Sequence, residues 1–118
     1  MDTSTALKCL IQLEKIKTVI LCCQQCGQQW ETLPPHERKG AERLLHILVA
    51  QIDREVGLAR HYDPQGQWAE VGKALDMAAV MISSGVAQEV SFHLSKALKI
   101  LMSCAEKAAR VLHRDGLL

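Results

Sequence analysis

Residues 90–112 have the sequence VSFHLSKALKILMSCAEKAARVL, in which apolar side chains recur every three or four positions. At 100° per residue, this spacing places the apolar side chains in one stripe along a helix. The stripe consists of Val90, Leu94, Ala97, Leu98, Leu101, Cys104, Ala105, Ala108 and Leu112. An amphipathic helix buries such a stripe against other elements. We therefore predict a long helix from about residue 86 to residue 114, packed against further helices.

The chain before this helix contains three more segments with the same period. Clusters of turn-forming residues separate them, and they extend over about residues 4–29, 34–61 and 64–83. Asp63 followed by Pro64 is typical of a helix start, in which a carboxylate caps the first turn and proline occupies it. Gly85 can adopt the left-handed conformation that ends a helix. We therefore predict that helix 3 begins at Asp63 and Pro64 and is separated from helix 4 at Gly85.

The length of the last two segments also favours a break. An unbroken helix over residues 64–114 would be roughly 75 Å long, against about 40 Å for each of the other two. Such a rod would leave half of its apolar stripe without a partner, so we favour a break. The alternative is that helices 3 and 4 are kinked or continuous near Gly85. Four amphipathic helices with short connections favour an all-α fold, namely an antiparallel up-and-down four-helix bundle in which residues 1–118 form one domain.

The composition excludes several classes of protein. Apolar residues make up 48% of the 118 residues, and the formal net charge is +1. These values exclude a disordered tail, a collagen-like chain and a strongly basic nucleic-acid arm. The cysteines number five, which is odd, and no basic and apolar leader precedes the first helix. We therefore expect a reduced, cytoplasmic protein that does not enter a membrane.

Apolar residues are more numerous than four core stripes require, and the surplus lies on the outer arcs of predicted helices 1, 3 and 4. Grouped apolar residues outside the core are typical of interfaces. The candidate interface residues are Ile11, Val19, Cys22, Met77, Met81, Phe92 and Ile100. The first hypothesis is therefore a protein–protein interaction module without enzymatic activity, either a homo-oligomer such as a homodimer or a bundle that binds another protein. The alternative is a monomer with wide core stripes.

A basic arc on predicted helix 4 suggests a second kind of partner. Its members lie within roughly 80° of one another on the helix, and they are Lys96, Lys99, Lys107, Arg110 and Arg114. Such an arc could bind the phosphates of a nucleic acid or another anionic partner. The alternative is a solvated helix face.

Arg54 and His61 are separated by six residues, which is similar to the Arg-x4-6-His element of HEPN-type ribonucleases. Members of that family are helical bundles, often dimeric, in which the arginine and histidine act on an RNA phosphodiester without a metal. The resemblance implies that Arg54 and His61 would cleave RNA. The alternative is a basic helix end that interacts favourably with the helix dipole.

The sequence from His36 to Lys39 and Gly40 resembles the His-x-x-Lys-Gly element of histidine phosphotransfer domains, which are four-helix bundles of about this length. The resemblance implies that His36 would carry a phosphoryl group. In that family the histidine lies in the middle of a helix, whereas Pro34 and Pro35 predict that His36 lies in a first turn. The alternative is a solvated histidine.

Three cysteines are clustered at Cys22, Cys23 and Cys26. Cys22 and Cys26 share a helix face, whereas Cys23 points into the predicted core. A structural zinc site needs four ligands, and no second pair of ligands lies at a suitable spacing. We therefore favour packing in the core and at an interface, with a metal or redox role as the alternative.

The sequence contains no glycine-rich phosphate loop and no paired carboxylates, so it predicts no catalytic residue, no metal ligand and no cofactor.

Overall fold

The computed structural model describes all 118 residues and consists of four α-helices without a strand. The helices are α1 (Thr3–Trp30), α2 (Pro35–Arg60), α3 (Trp68–Ser83) and α4 (Ala87–Arg114). Each helix packs against the next, and α4 packs against α1, which closes the ring. The hydroxyl of Thr3 donates to the carboxylate of Asp115 and so joins the start of α1 to the end of α4. The predicted all-α, antiparallel up-and-down four-helix bundle is therefore confirmed.

The core is one continuous cluster of 26 buried apolar residues along the bundle axis. The stripe predicted on α4 forms part of it, except that Leu98 and Cys104 are half-buried at its edges. On α1, Cys23 is buried as predicted, whereas Cys22 and Cys26 are exposed. The apolar period therefore identified the buried side of α4 and the burial of Cys23 on α1, because side chains on one side of a helix face the same neighbours.

The break between α3 and α4 occurs at Gly85, as predicted. Gly85 has a φ of +75°, which an L-amino acid side chain disfavours. Its N–H donates to the carbonyl oxygen of Ile82, and the N–H of Val86 donates to that of Met81 at 3.0 Å. These two bonds form a Schellman motif, which satisfies the last carbonyl groups of α3. The chain can then reverse, so that α4 packs antiparallel to α3.

The predicted start of helix 3 is wrong. Helix α3 begins at Trp68, and the carboxylate of Asp63 is turned towards α4 instead of capping a helix. There it accepts hydrogen bonds from Lys107 Nζ at 2.9 Å and from Cys104 Sγ at 3.1 Å. The indole nitrogen of Trp68 donates to the backbone oxygen of Asp63 at 2.6 Å. Burying a carboxylate costs free energy unless the carboxylate is hydrogen-bonded and paired with a positive charge. The side chain of Asp63 therefore pairs with α4 instead of capping the start of a helix.

Helix α3 has 16 residues and is the shortest of the four. Its last residue, Ser83, lies beside His46, and Ser83 Oγ is 3.1 Å from His46 Nε2. The first turns of α2, before His46, therefore extend past the end of α3. Along this part α2 packs against α1, and only the α3–α4 turn and the start of α4, at Gly85 and Ala87, lie beside it.

Candidate interface on helices α1 and α2

An apolar groove lies between the C-terminal half of α1 and the first half of α2. Its volume is about 530 Å³. Its lining contains no charged side chain, and Gln25 and Gln29 are its only polar residues. We call this surface the α1–α2 groove, and the lining residues used below are Cys22, Cys26, Leu33, Leu44, Ile47 and Leu48.

The groove owes its exposed apolar residues to the run Leu44-Leu45-His46-Ile47-Leu48 on α2. Leu45 is buried in the core, and Leu48 packs against the core from its edge. Because successive helical residues are 100° apart, Leu44 and Ile47 are turned away from the core. Leu44 is 63% exposed and Ile47 is 58% exposed. This apolar arc is wider than one core stripe requires.

The turn that connects α1 to α2 lies at one end of the groove, and hydrogen bonds from side chains to backbone carbonyl groups hold it in place. Trp30 is buried, and its indole nitrogen donates to the carbonyl oxygen of Arg38 at 3.2 Å. The guanidinium group of Arg38 donates to the carbonyl oxygens of Leu33 at 2.9 Å and Glu31 at 3.1 Å. These bonds fix the first turns of α2 against the end of α1, so the groove is already formed in the isolated chain.

A buried carboxylate lies beyond the other end of the groove. Glu55 accepts hydrogen bonds from Gln12 Nε2 at 2.6 Å and Gln51 Nε2 at 2.9 Å, and Lys15 Nζ lies 3.5 Å away. The hydrogen bond from Gln12 and the charge of Lys15 lower the pKa of Glu55 despite its burial. The cluster fixes how α1 and α2 align, because a shift of either helix would leave a buried carboxylate unpaired.

The sequence interpretation missed Glu55 as a buried residue. The signal was its position on α2, three residues after Ile52 and four before Ala59, which are both buried. Residues at these spacings share a helix side. The pattern could not show what would pair with a carboxylate there, because its partner Gln12 lies 43 residues away in the chain.

The structure brings only one of the seven candidate interface residues, Cys22, into the groove. Ile11 is exposed on the same side of α1, about three turns away, whereas Met77 and Phe92 are exposed on other helices. The remaining three are partly buried against the core, namely Val19, Met81 and Ile100. Leu44, the most exposed large apolar side chain, was not among the candidates. The run of leucines on α2 was the available signal.

The basic arc of α4 is largely paired within the chain. Lys107 contacts Asp63 at 2.9 Å, and Arg110 contacts Glu106 at 3.0 Å. Arg114 contacts Asp115 at 3.1 Å. Of the other two, Lys96 Nζ lies 5.7 Å from the centre of the Phe92 ring. Lys99 forms no ion pair in the structure, and binding of an anionic partner by this arc stays a prediction.

The residues that resemble the elements of HEPN-type ribonucleases and histidine phosphotransfer domains lie on α2, and they do not contact one another. Arg54 donates to Gln51 Oε1 at 2.7 Å, and His61 is the exposed C-terminal cap of α2. His36 lies in the first turn of α2, as predicted, and its Nε2 is 4.0 Å from Glu37 Oε1. RNA cleavage by Arg54 and His61 and phosphotransfer by His36 stay predictions.

The cysteine cluster is divided between the core and the groove. Burial raises the pKa of the Cys23 thiol to about 12. Burial and the neighbouring Cys22 also raise the pKa of Cys26. Nowhere in the chain are three His, Cys, Asp or Glu side chains grouped so that they could hold a metal ion. None of the four helices combines the length and the apolar character needed to span a membrane.

No family model, curated protein sequence or solved structure matches this chain. The α1–α2 groove is the most apolar of the surfaces described above, and its exposed leucine and isoleucine side chains have no partner within the chain.

Proposed function

We propose that this protein is a helical-bundle interaction module that self-associates by packing the α1–α2 grooves of two copies together. The observation that carries the proposal is the exposure of Leu44 and Ile47, 63% and 58%, beside a groove without charged lining residues. Complete burial of a fully exposed leucine or isoleucine contributes roughly 1.5–3 kcal/mol, and Leu44 and Ile47 each have more than half of their surface left to bury. Two such residues from each copy, together with the partly exposed groove lining, supply a driving force for association.

A second copy is the occupant that best suits the charge of the groove. A twofold contact places a surface against its own copy, so charged residues of one sign would face each other. The groove avoids this repulsion because its polar residues are two uncharged glutamines. Leu44 and Ile47 are exposed, whereas Leu33 and Leu48 in the same groove are partly buried against the core, so each copy would contribute both exposed and recessed apolar side chains.

The side of α1 and α2 that contains the groove is also of a suitable size for a dimer interface. Exposed apolar side chains recur further along the same side of α1 and α2, at Ile11 and Leu58, beyond the polar cluster around Glu55. From Leu33 to Ile11 the face is about 30 Å long and two helices wide, on the order of 600 Å². Stable interfaces bury about 800 Å² of accessible surface on each partner, so this face is close to the area that a dimer needs.

Sedimentation velocity at tens of micromolar tests the proposal. We expect the wild-type protein to have twice the monomer mass of 13.1 kDa, and Leu44→Glu to have the monomer mass. Val80→Glu is the matched control, because Val80 is 51% exposed on α3 and lies outside the groove. A wild-type monomer, or a Leu44→Glu dimer, would contradict the proposal.

The proposal has two further parts. The module acts by binding and not by catalysis, and it resides in the cytoplasm. The five free cysteines support a reducing compartment, since secreted small domains usually pair their cysteines. Fractionation of cells that express the tagged full chain tests the location. If wild-type protein is monomeric but binds another protein through Leu44 and Ile47, the groove has a different occupant.

A further inference from the structure

Two exposed thiols lie side by side in the α1–α2 groove. Cys22 and Cys26 both line it, and both are free and exposed. They are four residues apart on α1, so they are neighbours on one helix face, with Cβ atoms about 5–6 Å apart. Two sulfur ligands of a tetrahedral zinc ion, each about 2.3 Å from the metal, lie about 3.8 Å from each other. Rotation about the two Cα–Cβ bonds can bring the sulfur atoms to this separation.

One chain supplies only half of a thiolate site. A structural zinc ion takes four ligands, and no third His, Cys, Asp or Glu side chain is grouped with this pair. Cys23 is next to Cys22 in sequence but is fully buried on the core side of α1. Burial raises the pKa of Cys23 to about 12, which keeps its thiol protonated. A complete site therefore requires two ligands from outside the chain.

The self-association proposed above would bring a second pair of thiols to the first. Helix α1 lines the groove from Cys22 to Trp30, so Cys26 is the middle residue of this run and Cys22 lies about one turn away. In a twofold contact both copies use the same surface, and residues near its centre meet their own counterparts across the axis. Two thiols from each copy would then meet near the centre of the interface, which is the number that a tetrahedral site needs.

We propose that Cys22 and Cys26 of two copies form a four-cysteine zinc site across the twofold interface. The inference rests on the proposed self-association and names a ligand for the same surface. When the site fills, four S–Zn bonds form and the four thiol protons are released to solvent. One Zn²⁺ with four thiolates leaves an excess of two negative charges at the interface.

The other residues of the groove suit this ligand. No carboxylate or imidazole lines it, so cations that prefer oxygen, such as Mg²⁺ and Ca²⁺, find no side-chain ligand, whereas thiolates favour zinc and copper(I). Copper(I) is satisfied by two or three thiolates, and four thiolates therefore favour zinc. Gln25 and Gln29 are the only polar residues of the lining. Their amide N–H groups can donate to the thiolates, which offsets part of the cost of placing negative charge in an apolar interface.

Metal titration of the full chain tests the site. We expect reduced protein, first freed of metal with a chelator, to bind one Zn²⁺ per two chains. Co²⁺ in its place should give the intense visible absorption of a tetrahedral thiolate complex. Cys22→Ser/Cys26→Ser should bind neither metal, although the three other cysteines remain. Gln25→Ser/Gln29→Ser is the matched control, because it changes the other pair of polar residues in the same groove. It should still bind one Zn²⁺ per two chains, with lower affinity.

Sedimentation velocity in chelator and in zinc separates this inference from the proposed function. Zinc should raise the association constant of wild type by roughly tenfold or more and leave that of Cys22→Ser/Cys26→Ser unchanged. A wild-type dimer that binds no zinc would overturn the zinc site and leave self-association intact. Wild type that stays monomeric in chelator and in zinc would overturn both. If monomeric Leu44→Glu gives the same cobalt spectrum, a single chain suffices and the site across the interface is wrong.

Discussion

Asp63 is one of two buried acidic residues in the bundle, with 4% of its surface exposed. Burial raises the pKa of Asp63, but the hydrogen bonds from Lys107 and Cys104 and the charge of Lys107 together lower it by more. The pKa of Asp63 therefore lies below its ordinary value. The same contacts raise the pKa of Lys107. Each partner therefore stabilises the charged form of the other.

Asp63→Asn should remove a pH-dependent part of the free energy of unfolding. Because the folded-state pKa of Asp63 is lowered, its contribution is present above the unfolded value of about 3.9 and is lost as the pH falls through the folded value. We expect wild type to be more stable than Asp63→Asn at pH 7, and this difference to shrink towards pH 2. Urea unfolding at several pH values measures it.

The control for this prediction is Glu70→Gln, which removes an exposed ion pair to Lys73 at 3.9 Å. Exposed pairs contribute about 0–1 kcal/mol, so the control should stay close to wild type at every pH. Parallel pH profiles for wild type and Asp63→Asn would contradict the assignment. Glu55 titrates in both proteins and cancels in the comparison.

Leu101→Ala should strongly destabilise the bundle, because Leu101 is fully buried in the core. Truncating a buried leucine removes its transfer free energy and leaves a cavity, at a cost of about 2–5 kcal/mol. Leu7→Ala makes the same chemical change at an exposed position of α1 and should cost less than about 0.5 kcal/mol. Denaturant unfolding of both variants checks the prediction, which fails if the two losses are equal.

At the scale of elements, Gly85→Ala should destabilise the α3–α4 turn. The space around Gly85 is open, so the cost arises from its φ of +75°, which an alanine adopts at roughly 1–2 kcal/mol. Gly57→Ala is the matched control, because Gly57 is exposed within α2 and also has open space around it. It should stabilise the protein by about 0.5–1 kcal/mol. Thermal melts that shift in the same direction would contradict this account.

Helix ends were less predictable than helix sides. The Schellman turn at Gly85 depends on residues close together in the chain, and its glycine was visible in the sequence. The start of α3 depends on Asp63 pairing with Cys104 and Lys107, which are 41 and 44 residues away. The local pattern of aspartate followed by proline carries no information about such partners.

At the scale of the whole molecule, self-association should make thermal stability depend on concentration. A partner that binds only the folded state raises the melting temperature by mass action. We expect the melting temperature of wild type to rise over a hundredfold increase in protein concentration, and that of Leu44→Glu to stay constant. Val80→Glu should behave like wild type. Scanning calorimetry measures the shifts, and a constant wild-type value would count against dimerisation.

Helix number, helix sides and the all-α class follow from the amino-acid order alone, because the apolar period of 3.6 is a property of each helix by itself. Which outer faces lie next to one another depends on packing, since helical phase does not say which neighbour stands beside an exposed residue. Tertiary structure alone places Cys22 and Cys26 of α1 beside Leu44 of α2. It alone also joins Asp63 to Cys104 and Lys107, because residues distant in the chain meet only when the helices close into a ring.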